Sequence, residues 1–297
     1  MSQRIFLSPS GLASYENCPN AYYLDRVLKV RTRRTSSNLG FGGAAASAME
    51  GFLQGQLRQQ WVDPVNLFVE HWRMFTNSHD VVYKRGLSKE DLNAIGIRLM
   101  ELFPKAWAKT RWSVVVDSKG EPLIERKFMV DIGNDVVLVT KLDVVVQDDE
   151  GKIYIIDMKT PSSPSSVAFT LMGDQLTAYQ IAMMTYGPLL GVGEVAGVGY
   201  WELIKRKIPQ GNRGEGPVIH DPIKVAPRSN GQLQAFVEKA HETADRIRAS
   251  RFPKTPRMAW NSPCSSCELS SLCISGETKD LVFPNDEVKQ AALKLAA

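Results

Sequence analysis

Long apolar runs are absent from this chain of 297 residues. No stretch approaches the roughly 20 apolar residues that a membrane-spanning helix needs, and residues 1–11 lack the charged-then-apolar pattern of a secretion signal. The sequence therefore predicts a cytoplasmic protein that has no membrane partner. Because 43% of its residues are hydrophobic, the chain can still bury a substantial core.

A strong excess of one charge is also absent. The 36 Lys and Arg residues outnumber the 32 Asp and Glu residues only slightly, which gives a net charge of +4. This balance permits a polyanionic partner such as a nucleic acid without demanding one. Basic residues cluster at three places, one of which is Lys205, Arg206 and Lys207. Each cluster is either an ordinary solvated face or a phosphate-binding surface, and both interpretations stay open.

Helix and strand signals alternate along the chain. Ser8 and Pro9 are typical of a helix start, and residues 44–112 have helix-like spacing, which predicts a helical insert. From Ser113 onward, β-branched runs predict strands at 114–116, 123–130, 136–146 and 152–157. Helices are predicted at 171–186 and 231–251, with a strand at 194–208 between them. This order indicates an α/β protein, which we interpret as a single domain over residues 1–297 with a mixed central sheet flanked by helices.

Two of the predicted strands form a hairpin with a polar turn that ends at Gly151. If the hairpin is centred near Glu150, Asp143 and Asp157 face each other, and like charges so placed destabilise a sheet. Side chains alternate along a strand, so Lys159 shares a face with Asp157. Hard oxygen ligands suit Mg²⁺ or Mn²⁺, and such a cation would remove the repulsion. A solvated carboxylate pair bridged by Lys159 is the alternative.

A glutamine and a tyrosine follow the hairpin at helical i, i+4 spacing, which places them on one helix face. In this order Asp143, the triplet Asp157-x-Lys159 and Gln175-x-x-x-Tyr179 resemble the motifs of the RecB-type branch of the PD-(D/E)XK nucleases. The resemblance implies a restriction-endonuclease-like core in which Asp143 and Asp157 bind the metal. It further implies that Lys159 orients or activates the attacking water, and that Gln175 and Tyr179 hold the DNA strand and the site.

The four cysteines of the chain are Cys18, Cys264, Cys267 and Cys273. In an intracellular protein this spacing indicates a metal site rather than two disulfides. Zinc, an iron-sulfur cluster and unrelated buried thiols are the alternatives. A lone N-terminal cysteine combined with a C-terminal C-x2-C-x5-C resembles AddB-type nucleases and CRISPR-adaptation exonucleases. That resemblance implies a 4Fe-4S cluster that joins Cys18 to a C-terminal segment over residues 258–276.

One position departs from the family. Ala46 stands four residues after Gly42, where these nucleases carry a histidine that serves as a further metal ligand. The alternatives are a natural loss, an engineered substitution, or a carboxylate supplied by Glu50 one helical turn along. Glu125 resembles the acidic residue that is often found one strand before the hairpin, and its role stays open.

Together the resemblances imply a metal-dependent DNA exonuclease that acts on single-stranded or duplex ends. Recombination, end resection and phage DNA processing are the implied settings, with a recombination or single-strand-annealing protein as a partner. Two other functions are compatible with the residues. The absence of a histidine at Ala46 would suit a DNA-binding pseudo-nuclease, and a zinc site would suit a nucleic-acid-binding adaptor whose acidic hairpin is only structural.

Overall fold

The computed structural model describes residues 3–209, 211, 214–255 and 262–295. In chain order its strands are Ile5–Leu7 (β1), Arg31–Thr32 (β2), Arg34–Ser36 (β3), Asp80–Val82 (β4), Ser113–Val114 (β5), Ile124–Asp131 (β6), Val136–Gln147 (β7), Ile153–Lys159 (β8), Val195–Ile204 (β9), Val218–Ile219 (β10), Ile223–Val225 (β11) and Leu281–Val282 (β12). Its α-helices are Pro9–Asn17 (α1), Pro19–Tyr22 (α2), Ser37–Leu57 (α3), Pro64–Ser78 (α4), Lys89–Thr110 (α5), Val167–Met172 (α6), Asp174–Tyr186 (α7), Asn230–Arg248 (α8), Ser270–Ser275 (α9) and Asp286–Lys294 (α10).

The chain divides into two compact units, each assembled from separate segments. Unit 1 comprises Met1–Arg34, Asp131–Val139 and Gln234–Ala297, and unit 2 comprises Thr35–Val130 and Thr140–Leu233. The single domain over 1–297, the insert at 44–112 and the cluster-binding segment at 258–276 stay predictions. Residues 258–261 of that segment lie outside the described residues.

The sheet of unit 2 is mixed. Strand β8 pairs with β7 in antiparallel and with β9 in parallel orientation. The short strands β10 and β11 add to β9, while β5 and β6 pair with β7. Runs of valine and isoleucine favour these strands because branched side chains fit a pleated, buried surface. The predicted α/β class, with a mixed central sheet flanked by helices, is confirmed.

Aromatic rings fix the helices of unit 2 against this sheet. Phe103 of α5 packs on Trp201 of β9 with ring centroids 5.3 Å apart, and Phe41 of α3 packs on Phe68 of α4 at the same distance. All four side chains are buried. Burial of a large apolar side chain contributes about 2–3 kcal/mol, so this packing holds α3 firmly in its place.

Helix α3 begins earlier than the sequence suggested. The predicted start was residue 44, whereas the helix begins at Ser37, where the Ser36 hydroxyl accepts a hydrogen bond from the Asn38 N–H at 3.3 Å. Glycines ordinarily disfavour helices, which made the glycine-rich stretch look like a loop. Gly40 is used for packing instead, because a Cβ there would lie 2.1 Å from the ring of Phe75.

Unit 1 joins distant parts of the chain. Strand β1 pairs in parallel with the start of β7, Ile5 opposite Val136. The guanidinium of Arg248 in α8 donates to the carbonyls of Gln3 and Asn134 at 3.0 and 2.6 Å. A small apolar core lies under β12 and α9 and contains Leu24, Val30, Leu269, Leu272, Leu281 and Ala292. None of the described helices is both long enough and apolar enough to cross a lipid bilayer.

Candidate active site

The predicted carboxylate pair lies on the hairpin of β7 and β8. Val144 pairs with Ile156 and Val145 with Ile155, which is the predicted register, and one step further along Asp143 comes opposite Asp157. The Asp143 carboxylate accepts a hydrogen bond from the Met158 N–H at 2.9 Å. Asp157 is fully buried. The hairpin thus brings two acidic groups together inside the protein.

The other predicted site residues surround Asp157. Lys159 Nζ lies 2.8 Å from Asp157 Oδ2 as an ion pair. The buried Tyr179 hydroxyl donates to Asp157 Oδ1 at 2.9 Å, and Gln175 Nε2 donates to the same hydroxyl oxygen at 2.7 Å. This chain of hydrogen bonds fixes the orientation of the Asp157 carboxylate. Gln175 and Tyr179 therefore contact the acidic pair through α7, with the tyrosine as the direct partner.

Burial dominates the electrostatics of the pair. It raises the pKa of Asp143, and repulsion from Asp157 adds to the rise. Burial likewise raises the pKa of Asp157, although the Lys159 ammonium and the Tyr179 hydroxyl oppose the shift. Burial lowers the pKa of Lys159, but attraction to the two aspartates outweighs this and the net pKa is raised. Lys159 therefore stays a cation at neutral pH, and a proton or a metal ion is favoured between the carboxylates.

Two further carboxylates and a lysine extend this acidic cluster. Glu125 of β6 forms an ion pair with Lys141 of β7, and its charge raises the pKa of Asp143. Burial raises the pKa of Glu50 on α3, and the nearby Glu125 raises it further. Sequence reasoning named Glu125 and Glu50 but missed Lys141, which shares a strand face with Asp143 at i−2.

Glu125 has an unusual backbone. Its φ angle is 50°, in the left-handed region, although it lies within strand β6. A non-glycine residue in such a conformation stores roughly 1–3 kcal/mol of strain, and such residues concentrate at functional sites. From this backbone conformation the Glu125 carboxylate forms its ion pair with the Lys141 ammonium.

Ala46 lies on the face of α3 that borders this cluster. It is one turn from Gly42, where an added Cβ would lie 3.9 Å from the Thr160 hydroxyl. It is also one turn from Glu50, whose carboxylate interacts with Glu125. Residues four apart share a helix face, so Ala46 lies between Gly42, which approaches Thr160, and Glu50, which interacts with Glu125.

Comparison with known proteins identifies the family. Residues 6–274 match the model of the PD-(D/E)XK nuclease superfamily. The chain belongs to this superfamily. No curated protein matches its sequence. The crystal structure of SSO0001 has 12% sequence identity and a TM-score of 0.41, over 94% of this chain and 90% of that chain.

The PD-(D/E)XK site of this chain has a buried arginine that sequence reasoning missed. Arg228 Nη2 donates to the Thr170 carbonyl at 2.6 Å and Nε to the Thr177 hydroxyl at 3.3 Å. Its backbone N–H donates to Gln180 Oε1 at 2.6 Å. These bonds clamp α6 to α7, the helix that carries Tyr179. No local sequence signal marks Arg228, because its partners are 48 or more residues away along the chain.

The donor set of this PD-(D/E)XK site suits Mg²⁺ or Mn²⁺. Asp143 and Asp157 offer hard oxygen ligands, and the Lys159 ammonium is the ion-pair partner of the buried Asp157 Oδ2. Across the described part of the chain, no three His, Cys, Asp or Glu side chains are placed to hold one ion. Mg²⁺ is often bound by only one or two carboxylates, with water and substrate phosphate as its remaining ligands. Two aspartates thus fit the metal that the superfamily implies.

The four cysteines come together in unit 1. Cys18 joins α1 to α2, Cys264 lies in the turn Pro263–Ser266, Cys267 ends that turn, and Cys273 lies in α9. No disulfide joins any two of these four described residues, and all four line one cavity of about 440 Å³. Burial raises the pKa of Cys267, and the other three cysteines raise it further. Asn20 donates a hydrogen bond to Cys273 Sγ at 3.3 Å.

The raised aspartate pKa values predict how stability depends on pH. In the unfolded chain both groups titrate near their ordinary pKa, so the folded, metal-free protein binds more protons above that pH. Its free energy of unfolding should therefore fall from about pH 5 to about pH 8, by at most about 1.4 kcal/mol per pH unit for each proton. Urea unfolding with a chelator should show a shallower fall for Asp143→Asn.

Asp149→Asn is the matched control, since Asp149 lies on the exposed turn of the same hairpin and pairs with Arg111 at the surface. Its pH dependence should follow that of the parent protein. Equal slopes for the parent and Asp143→Asn would contradict a buried, mutually repelling pair.

Proposed function

We propose that this PD-(D/E)XK protein is a Mg²⁺- or Mn²⁺-dependent DNA exonuclease that hydrolyses phosphodiester bonds at single-stranded or duplex ends. The observation that carries the proposal is the pairing of Asp143 with the fully buried Asp157 beside the Lys159 ammonium. Two buried like charges are costly unless a cation is shared between them. A metal-assisted hydrolase uses such an arrangement.

The side chains of the site have different roles in phosphodiester hydrolysis. Water attacks the phosphorus and gives up a proton to solvent, the P–O bond to the leaving sugar oxygen breaks, and that oxygen takes up a proton from solvent. Lys159 positions that water and offsets the negative charge that grows on the phosphate oxygens. Tyr179 and Gln175 keep the Asp157 carboxylate in a single orientation. A cation held by Asp143 and Asp157 would polarise the scissile phosphate.

The preference for DNA ends is supported by motif order. Asp143, Asp157-x-Lys159 and Gln175-x-x-x-Tyr179 follow one another as they do in RecB-type nucleases. Recombination, end resection and phage DNA processing are the settings in which such an enzyme would act. A recombination or single-strand-annealing protein would be its partner. Backbone contacts should dominate binding, so little sequence specificity is expected.

Asp157→Ala should abolish cleavage, with a rate loss of roughly a hundredfold or more, because it removes a metal ligand. Its stability without metal should stay level or rise, because the repulsion with Asp143 is relieved. The assay is digestion of end-labelled single-stranded, duplex and circular DNA with Mg²⁺ or Mn²⁺, in which an exonuclease spares the circle.

Asp149→Ala, on the exposed turn of the same hairpin, is the control and should cleave like the parent. Undiminished cleavage by Asp157→Ala would refute the assignment of the site. A large loss of stability in that variant would show that the aspartate is structural.

The absence of a histidine at Ala46 favours a second candidate, a DNA-binding pseudo-nuclease. Ala46→His should place an imidazole on the α3 face between Gly42 and Glu50 and add a metal ligand. If that ligand is the only missing part, Mn²⁺ affinity and single-turnover cleavage should both rise, by roughly tenfold or more. Calorimetry and rapid-quench assays measure the two quantities.

Ala46→Leu is the matched control, since it adds volume without a ligand and should gain neither property. If the parent cleaves well and the histidine adds nothing, Glu50 or a water already fills that position, and Glu50→Gln should then weaken Mn²⁺ binding. If the parent protein and the Ala46→His variant both bind metal and DNA but neither cleaves DNA, the protein is a pseudo-nuclease.

The cysteines in turn suit a 4Fe-4S cluster as a structural cofactor. A single zinc ion holds four sulfurs at about 2.3 Å and leaves no open space among them. The four thiols here line one cavity of about 440 Å³, and the resemblance of their spacing to AddB-type and CRISPR-adaptation nucleases is what favours the larger group. A cluster held by Cys18 and Cys273 would close a loop of most of the chain, and model estimates for long loops reach about 4 kcal/mol or more.

Cys267→Ser should lose the cluster and several kcal/mol of stability, while its folded fraction still cleaves DNA, because the carboxylates belong to unit 2. Visible absorbance, iron and zinc content after anaerobic purification, and thermal unfolding measure these effects. Ser266→Ala, in the same turn but without a ligand sulfur, is the control. Zinc in place of iron would support the adaptor alternative, and unchanged stability would show that the cofactor is dispensable.

A further inference from the structure

One cationic side chain near the site has no counter-charge in the part of the chain that the structure describes. Lys205 follows β9, and its Nζ donates to the Asn38 amide oxygen at 2.8 Å. The same ammonium lies 5.3 Å from the centre of the Phe41 ring. Its surroundings are an amide and an aromatic face, and within the described residues it makes no ion pair.

Lys84 is a second positive charge close to Lys205, which increases the excess of positive charge there. Burial and, as the smaller cause, the neighbouring charge of Lys84 together lower the pKa of Lys205 to about 8. Lys84 is exposed and likewise has no ion-pair partner among the described residues. Holding an ammonium half-buried beside a like charge costs free energy. A bound anion would offset that cost, so the arrangement is suited to an anionic ligand.

Lys205 lies at the same end of the sheet as Lys159, because β8 and β9 run in parallel and both end there. Lys159 pairs with Glu202 in the parallel register of β8 and β9, and Lys205 is three residues further along, which is roughly 10 Å at about 3.3 Å per residue. The Lys205 N–H donates to the Pro161 carbonyl at 2.9 Å, two residues after Lys159. This distance of roughly 10 Å along the backbone corresponds to a few nucleotide steps, since each step adds about 3.4 Å along one strand of a duplex.

The first turn of α3 adds to the positive potential at this place. Asn38 lies in that turn, and α3 runs for 21 residues from Ser37. The N-terminus of a helix carries unpaired N–H groups and a partial positive charge that favour phosphate. Gly42 brings the same helix close to Thr160, the residue after Lys159. The first turn of α3 and Lys205 therefore lie together, and α3 is the helix that approaches the residue after Lys159.

We propose that Lys205, together with Asn38 and the first turn of α3, binds a backbone phosphate of the substrate strand close to the scissile phosphate. The contact is with the backbone and not with a base, so it positions the strand without selecting a sequence. The proposal rests on the proposed nuclease function, because it assigns a subsite of the same cleft. Lys205 is a positioning residue and does not contact the reacting atoms.

The first test measures binding of a short single-stranded DNA by fluorescence anisotropy in a chelator, where no cleavage occurs, over a series of salt concentrations. Lys205→Gln should weaken binding roughly three- to tenfold and reduce the slope of log K against log salt by about 0.7, the value for one lost phosphate contact on a single strand. Lys205→Arg should keep the slope of the parent. Lys152→Gln, at the opposite end of β8 and paired with Glu150, is the matched control.

The second test finds the phosphate that is contacted. Oligonucleotides with one uncharged methylphosphonate, moved a position at a time, should weaken binding to the parent most at one position near the cleaved end. In Lys205→Gln, a methylphosphonate at that position should no longer weaken binding. The DNA change and the protein change remove the same contact, so their effects are not additive.

The outcomes separate the two proposals. An unchanged salt slope and an unchanged methylphosphonate profile in Lys205→Gln, with normal cleavage by the parent, would overturn the subsite alone. A parent that binds DNA through Lys205 but never cleaves it would remove the exonuclease and leave the subsite standing. Thermal unfolding of Lys205→Gln should match or exceed that of the parent, which excludes misfolding as the cause of weaker binding.

Discussion

The repulsion between two buried carboxylates is the constraint on which unit 2 is built. The register of β7 and β8 places Asp143 opposite Asp157 one step beyond the paired residues Val144 and Ile156, and Asp157 is fully buried. The fold compensates with the Lys159 ammonium and the Tyr179 hydroxyl, both directed at Asp157. These contacts reduce the repulsion without removing it, since burial still raises both pKa values. The site therefore has its highest free energy when it is empty and deprotonated, which favours metal binding.

The surroundings of this pair are more rigid than a list of motif residues suggests. Arg228 clamps α6 and α7 through the Thr170 carbonyl and the Thr177 hydroxyl, and α7 in turn presents Tyr179 to Asp157. On the opposite side, aromatic packing holds α3, which brings Glu50 and position 46 to the acidic cluster. Residues outside the acidic pair thus fix the orientation of its carboxylates. Because α3 is held by aromatic packing, a substitution at position 46 would leave the position of the helix unchanged.

Much of this arrangement could be predicted from the sequence, for identifiable reasons. Strand register follows from turn position and alternation, which are local, so the opposition of Asp143 and Asp157 was predictable. The start of α3 was not, because helix propensity counts Gly40 as unfavourable and cannot see Phe75 filling the space beside it. The Arg228 clamp, the left-handed backbone of Glu125 and the isolated charge of Lys205 all depend on partners distant in sequence, for which a single chain gives no pattern.

The division of the chain also sets an order of assembly. Every segment of unit 2 ends by Leu233, whereas unit 1 is completed only by the segment that begins at Gln234. During synthesis the carboxylate hairpin and α7 can therefore reach their final contacts before Cys264, Cys267 and Cys273 exist. Domains generally fold as units while the chain is being made, so the four cysteines come together last. The nascent chain would hold an assembled acidic site before its cysteines meet, and any group that binds all four of them would bind a chain whose unit 2 has already folded.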